Sequence, residues 1–401
     1  MNANMLSFDD ALATLLAKAR PIAASEDVDT LAAYGRILAQ EVCSPIVVPA
    51  IDTSSMDGYA IRAADVAVSG TTLPVSQRIP AGSVGHALVP GSAARIFTGA
   101  PLPAGADSVV MQELCEADGD RVTINHHPRI GEAVRSAGSE VALGARVLPR
   151  GTRLGAPEIG LAASVGVARL EVVRRMRVAL FSTGDELIMP GEALPPGRVY
   201  NSNRFQLRVL LESLGCEVHD FGIVPDRLDA TRATLREASL GNDLIITSGG
   251  VSVGEEDHVK PAVEAEGALE MWKIAMKPGK PLAFGHVGDC AFIGLPGNPV
   301  SSFVTFLMMV RPFILATQGA RKLCPRRLVL EADFDWQRPD ARREFLRGRI
   351  SDEGRVQLFG NQGPAALSSI VWAEGLVDVP AGTAIKRGEM VRFISYGDLL
   401  Y

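Results

Sequence analysis

The stretch DLIITSGGVSVGEEDHVK, Asp243 to Lys260, constrains the fold most, because a buried strand must lead directly into a glycine-rich turn. The β-branched run Leu244 to Thr247 predicts that strand. Glycine lets the following backbone turn sharply and approach a ligand, and successive N–H groups in such a turn bind anions. An ordinary strand-to-helix turn with solvated acids is the alternative. The candidate phosphate-binding residues are Ser248, Gly249, Gly250, Ser252 and Gly254.

The region from Arg177 to about Gln318 alternates strands with helices, which predicts a doubly wound, mostly parallel α/β sheet. Such sheets bind ligands beyond the carboxyl ends of their strands. Every unusual loop of this region follows a strand end, and this shared position is a stronger signal than any single motif. The predicted strands are Val178 to Phe181, Val218 to Val224, Leu244 to Thr247, Ala283 to Phe284 and Ala291 to Gly294, and the predicted helices are Arg204 to Leu214, Ala230 to Ala238 and Phe303 to Val310.

Three acidic residues follow three of these strand ends: Glu186 in STGDEL, Asp226 after Pro225, and Asp257 in the glycine-rich stretch. Three carboxylates in one crevice repel one another unless a cation lies among them. Oxygen ligands beside phosphates favour Mg²⁺, so the trio is a candidate magnesium site. In the alternative, two of the three acids are solvated on loops.

A fourth strand end carries the loop LPGNPVSS, Leu295 to Ser302. Its prolines stiffen the chain, its glycine allows close backbone approach, and Ser301 and Ser302 could cap the next helix or contact an anion there. A proline-stiffened helix cap without a ligand is the alternative. The candidate ligand-binding residues are Pro296, Gly297, Asn298, Pro299 and Ser301.

The segment MWKIAMKPGKPLAFG brings Lys273, Lys277 and Lys280 into a compact array around a proline–glycine bend. The apolar residues that flank these lysines favour an anion-binding site over a solvated charged face. Solvated lysines on an edge strand are the alternative.

The chain before the α/β region is rich in short strands and carries further candidate residues. Asp57 lies in IDTSSMDGYAIR, which is either a hairpin turn or a loop that presents Asp57 to a site. Thr98 ends a strand in ARIFTGAPLPAGADSVVMQE and is either a turn hydroxyl or a ligand donor. Arg135 and Glu140 lie in the turn VRSAGSEV and are candidate substrate-binding residues.

The chain divides into several domains. Helical patterns cover Ser7 to Arg20, with Ser7 as N-cap, and Leu31 to Leu38. Ala156 to Val165 is helical and Arg169 to Val173 extended, and we expect this piece to pack back on the N-terminal helices, which makes the first domain discontinuous. Residues from Pro325 onward predict a small barrel or sandwich. The predicted domains are residues 1–45 with 147–175, the β-rich insert 46–146, the α/β domain 176–322 and the C-terminal β domain 323–401.

The composition argues against several classes of function. A net charge of -6 argues against a general nucleic-acid binder, and 5% aromatic residues argue against base stacking. Five scattered cysteines without a CxxC pair fit reduced thiols in the cytoplasm and give no zinc site. The N-terminus lacks the basic region of a signal peptide. The apolar stretch Phe303 to Val310 is too short to span a bilayer and stops at Arg311-Pro312.

Six segments occur in the same order as in a known family. They resemble the molybdopterin molybdenumtransferases of the MoeA type and the E domain of gephyrin, and the resemblance runs from Ser7 almost to Tyr401. The six segments are IDTSSMDGYAIR, RIFTGAPLPAGADSVVMQE, FSTGDEL, TSGGVSVGEEDHVK, KPGKPLAFG and GLPGNPVSS.

The resemblance implies the last step of molybdenum cofactor synthesis. In that step molybdate is inserted into the dithiolene of adenylylated molybdopterin, and AMP is released in a Mg²⁺-dependent hydrolysis. The resemblance also implies an elongated four-domain homodimer that dimerises through its first domain. The active site would lie between subunits, so that Asp57 and Thr98 come from one chain and the α/β domain from the other.

Carried over residue by residue, the resemblance assigns catalytic roles to Asp57, Thr98, Glu186, Asp226 and Asp257. It assigns ligand contacts in the C-terminal domain to Arg347 in EFLRG and to Ser368 and Ser369 in GPAALSSI. The lysine array would gather the molybdate dianion. Glu140 stands where the family often has Asp, which moves the charge by one methylene, and His258 receives no role.

Two other functions stay open. A pterin-binding scaffold or carrier would not turn over, but the carboxylate trio argues against it, because binding of an anion gains nothing from added negative charge. An adenylyltransferase would act one step earlier, but the loops of Asp57 and Thr98 and the extra β-rich domains favour the insertion step. A transient adenylyltransferase partner that delivers the substrate is compatible with the resemblance.

Overall fold

The computed structural model describes residues 5–251 and 258–400. Within these ranges three six-stranded sheets build the fold, and two-stranded ladders connect them. The first of the three, the central sheet, has an order in which non-consecutive strands are neighbours, as doubly wound sheets require. Its strands in spatial order are Glu217–Val224, Arg177–Thr183, Leu244–Ser248, Cys290–Leu295, Pro281–Val287 and Gly267–Lys273.

The central sheet confirms the predicted α/β fold. Its first four strands in spatial order pair in parallel. The fifth strand pairs antiparallel with both the fourth and the sixth, which lies at the edge. Val178 and Leu180 face one apolar core, while Ala179 and Phe181 face the other. Helices cover both faces because successive strand residues point to opposite sides. The flanking helices are Ser202–Ser213 and Pro299–Thr305 on one face, with Leu228–Ser239 and Val259–Glu266 on the other.

The helix after the fourth strand is longer than predicted. The predicted bounds of Phe303 to Val310 are too short: the helix begins at Pro299, widens to a π-helical turn over Phe306–Val310 and continues to Thr317. A wider turn accommodates a proline, which lacks the N–H that a regular α-helix would bond. Among the described residues this is the one helix long and apolar enough to cross a membrane, but 94% of that stretch is buried inside the protein, as in a core helix.

A second sheet, the inserted sheet, lies in the sequence between the two segments of a discontinuous unit. The strands Ser25–Asp29 and Arg169–Val173 pair antiparallel, and Val42–Cys43 pairs with Arg146–Leu148. The chain therefore leaves and re-enters this unit at neighbouring points. The inserted strands in spatial order are Ser108–Met111, Gly58–Ile61, Ala93–Ile96, Thr71–Ile79, Arg121–Ile124 and Cys115–Asp118.

The N-terminal helices differ from expectation. The first is Phe8–Ala17, and the Ser7 hydroxyl caps it by accepting a hydrogen bond from the Asp10 N–H. Phe8 packs against Phe345 of the C-terminal sheet and does not belong to the core of the discontinuous unit. The predicted helix over Leu31 to Leu38 is wrong: a single 3₁₀ turn, Thr30–Ala33, ends before Gly35, whose φ of 77° breaks the helix. Helix Ala156–Ser164 packs beside that turn.

The third sheet, the C-terminal sheet, takes in a strand from the preceding unit. Met276–Lys277 pairs in parallel with Arg343 and Glu344 and so ties the central region to the C-terminal one. Short helices Ser368–Trp372 and Tyr396–Leu400 complete this part. The other strands of the sheet are Arg343–Ile350, Gly375–Val379, Met390–Ser395, Leu328–Glu331 and, beside the first of these, Val356–Leu358.

A buried carboxylate holds this sheet to the first helix. Asp378 is 2% exposed and accepts hydrogen bonds from Arg343 Nε at 2.6 Å and Arg327 Nε at 2.8 Å. Burial alone would raise the pKa of Asp378, but the two guanidinium groups outweigh it and lower the pKa. Arg343 Nη1 also donates to the exposed Asp9 at 2.8 Å.

We expect Asp378→Asn to cost about 3–5 kcal/mol of unfolding free energy at neutral pH, because it leaves buried guanidinium charge unpaired. Asp9→Asn removes an exposed partner of the same arginine and should cost only about 0–1 kcal/mol. A lowered folded-state pKa stabilises the fold above the ordinary aspartate pKa and loses that effect as pH falls through the lowered value. Denaturant unfolding at neutral and acidic pH measures both. Equal costs for the two variants at neutral pH would contradict this prediction.

Candidate functional site

A cleft of about 1020 Å³ opens beyond the carboxyl ends of the parallel strands, between the central sheet and the C-terminal unit. Its position follows from the parallel sheet, where loops that leave adjacent strands meet at one edge. The cleft brings together most of the residues that the sequence predicts on these loops. Those that line it are Glu186, Asp226, Ser248, Gly249, Gly250, Lys277, Lys280, Pro296, Gly297, Asn298, Pro299 and Ser301.

Other predicted residues lie elsewhere. Ser252, Gly254 and Asp257 fall outside the described residues. Lys273 ends the edge strand Gly267–Lys273, where its carbonyl accepts from the Leu6 N–H, and it is not among the residues that line the cleft. Ser368 is exposed at the start of a short helix.

The glycine turn has the close approach that its sequence predicts. Gly249 and Gly250 have φ values of 89° and 63°, a region that glycine adopts readily. A Cβ on Gly249 would lie 2.5 Å from the Thr183 carbonyl oxygen, and one on Gly250 would lie 2.6 Å from the Thr183 hydroxyl. The backbone itself therefore forms this wall of the cleft.

Two acidic loops meet beside this wall. The Asp226 N–H donates to Asp185 Oδ1 at 3.4 Å, which joins the loop after Arg177–Thr183 to the loop after Glu217–Val224. A Cβ on Gly184 would lie 2.6 Å from Glu186 Oε2, so this carboxylate folds back over the strand end. Both Glu186 and Asp226 thus present oxygen atoms near one edge of the cleft.

The donor set suits a magnesium ion with a phosphorylated substrate. No three His, Cys, Asp or Glu side chains form a metal site within residues 5–251 and 258–400. Magnesium commonly uses one or two protein carboxylates and takes its other ligands from water and substrate phosphates. Glu186 and Asp226 are therefore a sufficient protein contribution for such an ion.

The opposite side of the cleft is cationic and internally paired. Lys277 Nζ lies 3.0 Å from Glu344 Oε1 and 3.3 Å from Asp340 Oδ2. Partial burial would lower the pKa of Lys277, but these carboxylates raise it. Lys280 also lines this wall and is exposed.

Sequence reasoning missed Arg342, which lines the same wall. Its Nε and Nη2 donate to the two oxygens of Asp340, each at 2.9 Å, and this pairing lowers the pKa of Asp340. No local pattern in the sequence indicates that Arg342 reaches the lysine bend. Only the strand pairing of Met276–Lys277 reveals that proximity.

Arg347 lies behind the wall. It is fully buried, and burial lowers the pKa of its guanidinium to about 10. Its Nε donates to the Ser369 hydroxyl at 3.1 Å, and its backbone N–H donates to Gln362 Oε1 at 2.9 Å. Gln362 lines the cleft, so Arg347 and Ser369 support a side chain of the wall without forming its surface.

The two predicted N-cap serines occupy other positions. Asn298 is the N-cap of the helix that begins at Pro299, and Ser301 and Ser302 are buried inside its first turns. Of the two roles that the sequence leaves open for these serines, the structure therefore excludes capping of the helix. The prolines set the helix start before the serines, since proline suits the first helical position.

Two buried amides of the cleft wall were also missed. Asn201 Oδ1 accepts from the Arg204 N–H, and Asn203 Nδ2 donates to the Gly297 carbonyl at 2.8 Å. These bonds fix the orientation of both amides. Among the described residues the remaining donor, Asn201 Nδ2, and the remaining acceptor, Asn203 Oδ1, have no partner.

A second cluster of predicted residues lies at the rim of the inserted sheet. The Thr98 N–H and hydroxyl both donate to Asp57 Oδ1 at 2.8 Å, and they lower the pKa of Asp57. Arg135 pairs with Thr53 on the neighbouring ladder. Glu140 is exposed in the turn that follows. Within one chain this cluster does not contribute to the lining of the cleft.

Comparison with known proteins identifies the same architecture. Three family models match in succession: the MoeA N-terminal region (domain I and II) over residues 6–166, a probable molybdopterin binding domain over 179–316, and the MoeA C-terminal region (domain IV) over 329–396. The crystal structure of a molybdopterin biosynthesis MoeA protein from Pyrococcus horikoshii OT3 superposes with a TM-score of 0.86 at 26% identity, covering 98% of this chain and 100% of that one.

Curated relatives match over almost the full length. The molybdopterin molybdenumtransferase of Haemophilus influenzae is 40% identical over 404 residues, which cover 99% of this chain and 100% of the relative. The molybdopterin molybdenumtransferase of Nostoc sp. is 41% identical over 382 residues, 92% of this chain and 88% of the relative. The chain therefore belongs to the MoeA family of molybdopterin molybdenumtransferases.

Proposed function

We propose that the chain transfers molybdenum from molybdate into adenylylated molybdopterin and releases AMP, the final step of molybdenum cofactor synthesis. The observation that carries the proposal is the cleft itself, which has a glycine turn and two carboxylates at one side and a lysine and an arginine at the other. A reaction between a pyrophosphate-containing substrate and a separate oxyanion needs one side of the cleft for the pyrophosphate with its cation and a basic side for the oxyanion.

The acidic side supports phosphate chemistry. We assign the substrate's pyrophosphate to the backbone turn of Gly249 and Gly250, whose N–H groups suit an anion. Glu186 and Asp226 would hold Mg²⁺ there. When bound, that ion supplies positive charge against the negative charge that develops on the leaving phosphate.

The buried amides support a pterin ring as the organic part of the substrate. A pterin edge carries N–H donors and carbonyl and ring-nitrogen acceptors in one plane. Asn201 and Asn203 line the cleft with fixed orientations, and each keeps one enclosed polar atom, Asn201 Nδ2 and Asn203 Oδ1, without a partner among the described residues. An unsatisfied buried polar group costs free energy, which a complementary ligand recovers.

The Asp57–Thr98 cluster supports a site shared between two chains. Thr98 fixes the Asp57 carboxylate and lowers its pKa, yet neither residue is among the described residues that line the cleft of the same chain. We propose a homodimer in which the inserted sheet of one protomer reaches the cleft of its partner. Isologous dimers of this kind are the commonest oligomers. We also place the protein in the cytoplasm, which fits its free cysteines.

The direct test of function is AMP release from adenylylated molybdopterin by purified protein, with and without molybdate and Mg²⁺. Release that requires both, with active cofactor as product, supports the proposal. Consumption of ATP would instead indicate adenylyl transfer, and tight pterin binding without AMP release would indicate a carrier.

We expect Asp226→Asn and Glu186→Gln each to lower AMP release at least about a hundredfold, because each removes a charge that stabilises the reacting phosphate. The matched control is Asp229→Asn, an exposed acid on the helix that follows Asp226, which should retain wild-type rates. Thermal unfolding checks that all three variants are folded. Wild-type rates in the first two variants would remove their catalytic assignment.

Mixed dimers test the shared site. Asp57→Ala and Asp226→Ala homodimers should each be inactive, but co-expression should restore about a quarter of wild-type activity, because half of random dimers are mixed and each mixed dimer keeps one intact site. Differently tagged chains allow the mixed dimer to be purified and assayed. If the two residues act within one chain, the mixed dimer will stay inactive.

Substitutions at two glycines distinguish an effect on the stability of the fold from an effect on substrate binding. Gly249→Ala should destabilise the fold by about 1–3 kcal/mol, since its φ is positive and its Cβ would meet the Thr183 carbonyl. Gly297→Ala meets only Gly249 Cα, at 3.8 Å, so it should leave thermal stability unchanged and weaken substrate binding by filling the cleft. Calorimetry and substrate titration distinguish the two effects. Unchanged substrate affinity in Gly297→Ala would contradict close approach at this loop.

A further inference from the structure

A second large concavity lies at the edge of the central sheet opposite the cleft. Its volume is about 790 Å³, and its lining includes Met176, Asp243 and Cys290, which stand just before or at the start of three strands of the sheet. The parallel strands run toward the cleft and the helices between them run back, so helices end at this opposite edge. We call this concavity the rear pocket.

Three helices end at the rear pocket. Ala17, Ser239 and Thr317 line it, and each is the last residue of its helix. The C-terminal end of a helix carries partial negative charge, which favours a cation nearby. The part of the wall that these helix ends form is therefore electronegative.

Two enclosed oxygen atoms of the rear pocket lack a partner in the part of the chain that the structure describes. Thr317 is 6% exposed, and its hydroxyl makes no hydrogen bond there. Asn242 Nδ2 donates to the Ala238 carbonyl at 2.9 Å, which fixes the amide and leaves its Oδ1 as the atom without a partner. Buried polar atoms normally have partners, so these two oxygens point to a ligand that donates hydrogen bonds.

One carboxylate of the pocket is already occupied by the protein. Asp243 accepts from Arg174 through both of its oxygens, at 2.7 and 2.8 Å, and from the Arg177 N–H at 2.8 Å. These bonds offset its charge and use its acceptor positions. Asp243 therefore shapes the pocket and is not the group that a ligand would contact.

A second carboxylate is exchangeable. Glu270 pairs with Lys18 at 2.6 Å, and the Lys18 side chain is half exposed. A ligand ammonium can replace the lysine ammonium, because an exposed ion pair contributes little stability and the displaced lysine regains water. The other charged lining residues, Arg20 and Asp289, are exposed and opposite in sign.

The pocket also has an apolar surface. Phe284 and Phe313 line it, and their rings pack edge to face with centroids 5.9 Å apart. Both side chains are almost fully buried. An apolar ligand body that covers such a surface gains free energy through removal of that surface from water.

We propose that the rear pocket binds a small organic amine with an aromatic body. An ammonium group has three N–H donors, and Asn242 Oδ1, the Thr317 hydroxyl and Glu270 supply three acceptors. The helix ends favour its charge, and the phenylalanine rings favour its body. Among the described residues the rear pocket and the cleft share no lining residue, so this site is separate from the proposed function.

Tryptamine and indolepropionate test the charge preference, because they share an indole ring and a two-carbon chain and end in opposite charges. Isothermal titration calorimetry of the purified full-length protein at neutral pH should show one saturable tryptamine site per chain. Indolepropionate should bind at least about tenfold more weakly. No saturable binding of tryptamine, or equal affinity for the two compounds, would overturn the proposal.

Substitutions locate the binding. Thr317→Val removes the hydroxyl and should weaken tryptamine binding about three- to tenfold, whereas Thr317→Ser should keep wild-type affinity. Glu270→Gln should weaken it about tenfold, because the ammonium loses a charged acceptor. The matched control is Glu237→Gln, an exposed acid on the helix that ends at Ser239, with unchanged affinity. Equal affinity in the two Thr317 variants would contradict the assignment.

Asp226→Asn separates the rear pocket from the cleft. Tryptamine should bind this variant as it binds the wild type, since Asp226 lines the cleft and not the rear pocket. Binding that is lost in Asp226→Asn and kept in Thr317→Val would place the amine in the cleft and overturn the proposal. Thermal unfolding verifies that each variant is folded. None of these measurements requires AMP release, so a failure of the proposed function leaves this result untouched.

Discussion

The short parallel ladder between Met276–Lys277 and Arg343–Glu344 is the contact on which the cleft depends. This ladder is only two residue pairs long, yet it joins a loop of the central sheet to the C-terminal sheet. Ion pairs reinforce it on both flanks: Lys277 with Glu344, and Arg343 with the buried Asp378. This junction places the basic side chains of the C-terminal sheet opposite the loops at the carboxyl edge of the central sheet.

The cleft separates charge along its width. Backbone donors and two carboxylates lie on the sheet side, where we propose that a phosphate and a divalent cation bind. Basic side chains already paired with acids lie on the other side. Such separation keeps two anionic reactants in one space without placing them against the same donors. Positioning of this kind supplies much of the rate acceleration in transfer reactions.

Much of this arrangement could be predicted from the sequence, because parallel strands send their loops to one edge. Glu186, Asp226 and Gly249 meet there for that reason. Features that depend on tertiary pairing could not be predicted. Arg342 reaches the cleft through a ladder two residues long. The helix that contains Phe303 to Val310 continues past Pro312 after a π-helical turn, which no local sequence pattern indicates. For Asp57, the sequence predicts a loop that presents it to a site, and in the proposed dimer that site is the cleft of the partner chain.

The antiparallel ladder of Val42–Cys43 with Arg146–Leu148 has a consequence for how this architecture could arise and be altered. Paired residues of adjacent strands lie about 5 Å apart, so the intervening hundred or so residues begin and end at almost the same point in space. A module with adjoining termini can be gained, lost or exchanged by recombination without disturbing its host, since a tight turn would close the remaining gap. The inserted sheet thus has the geometry of an exchangeable domain, because the chain enters and leaves it at neighbouring points of the remaining fold.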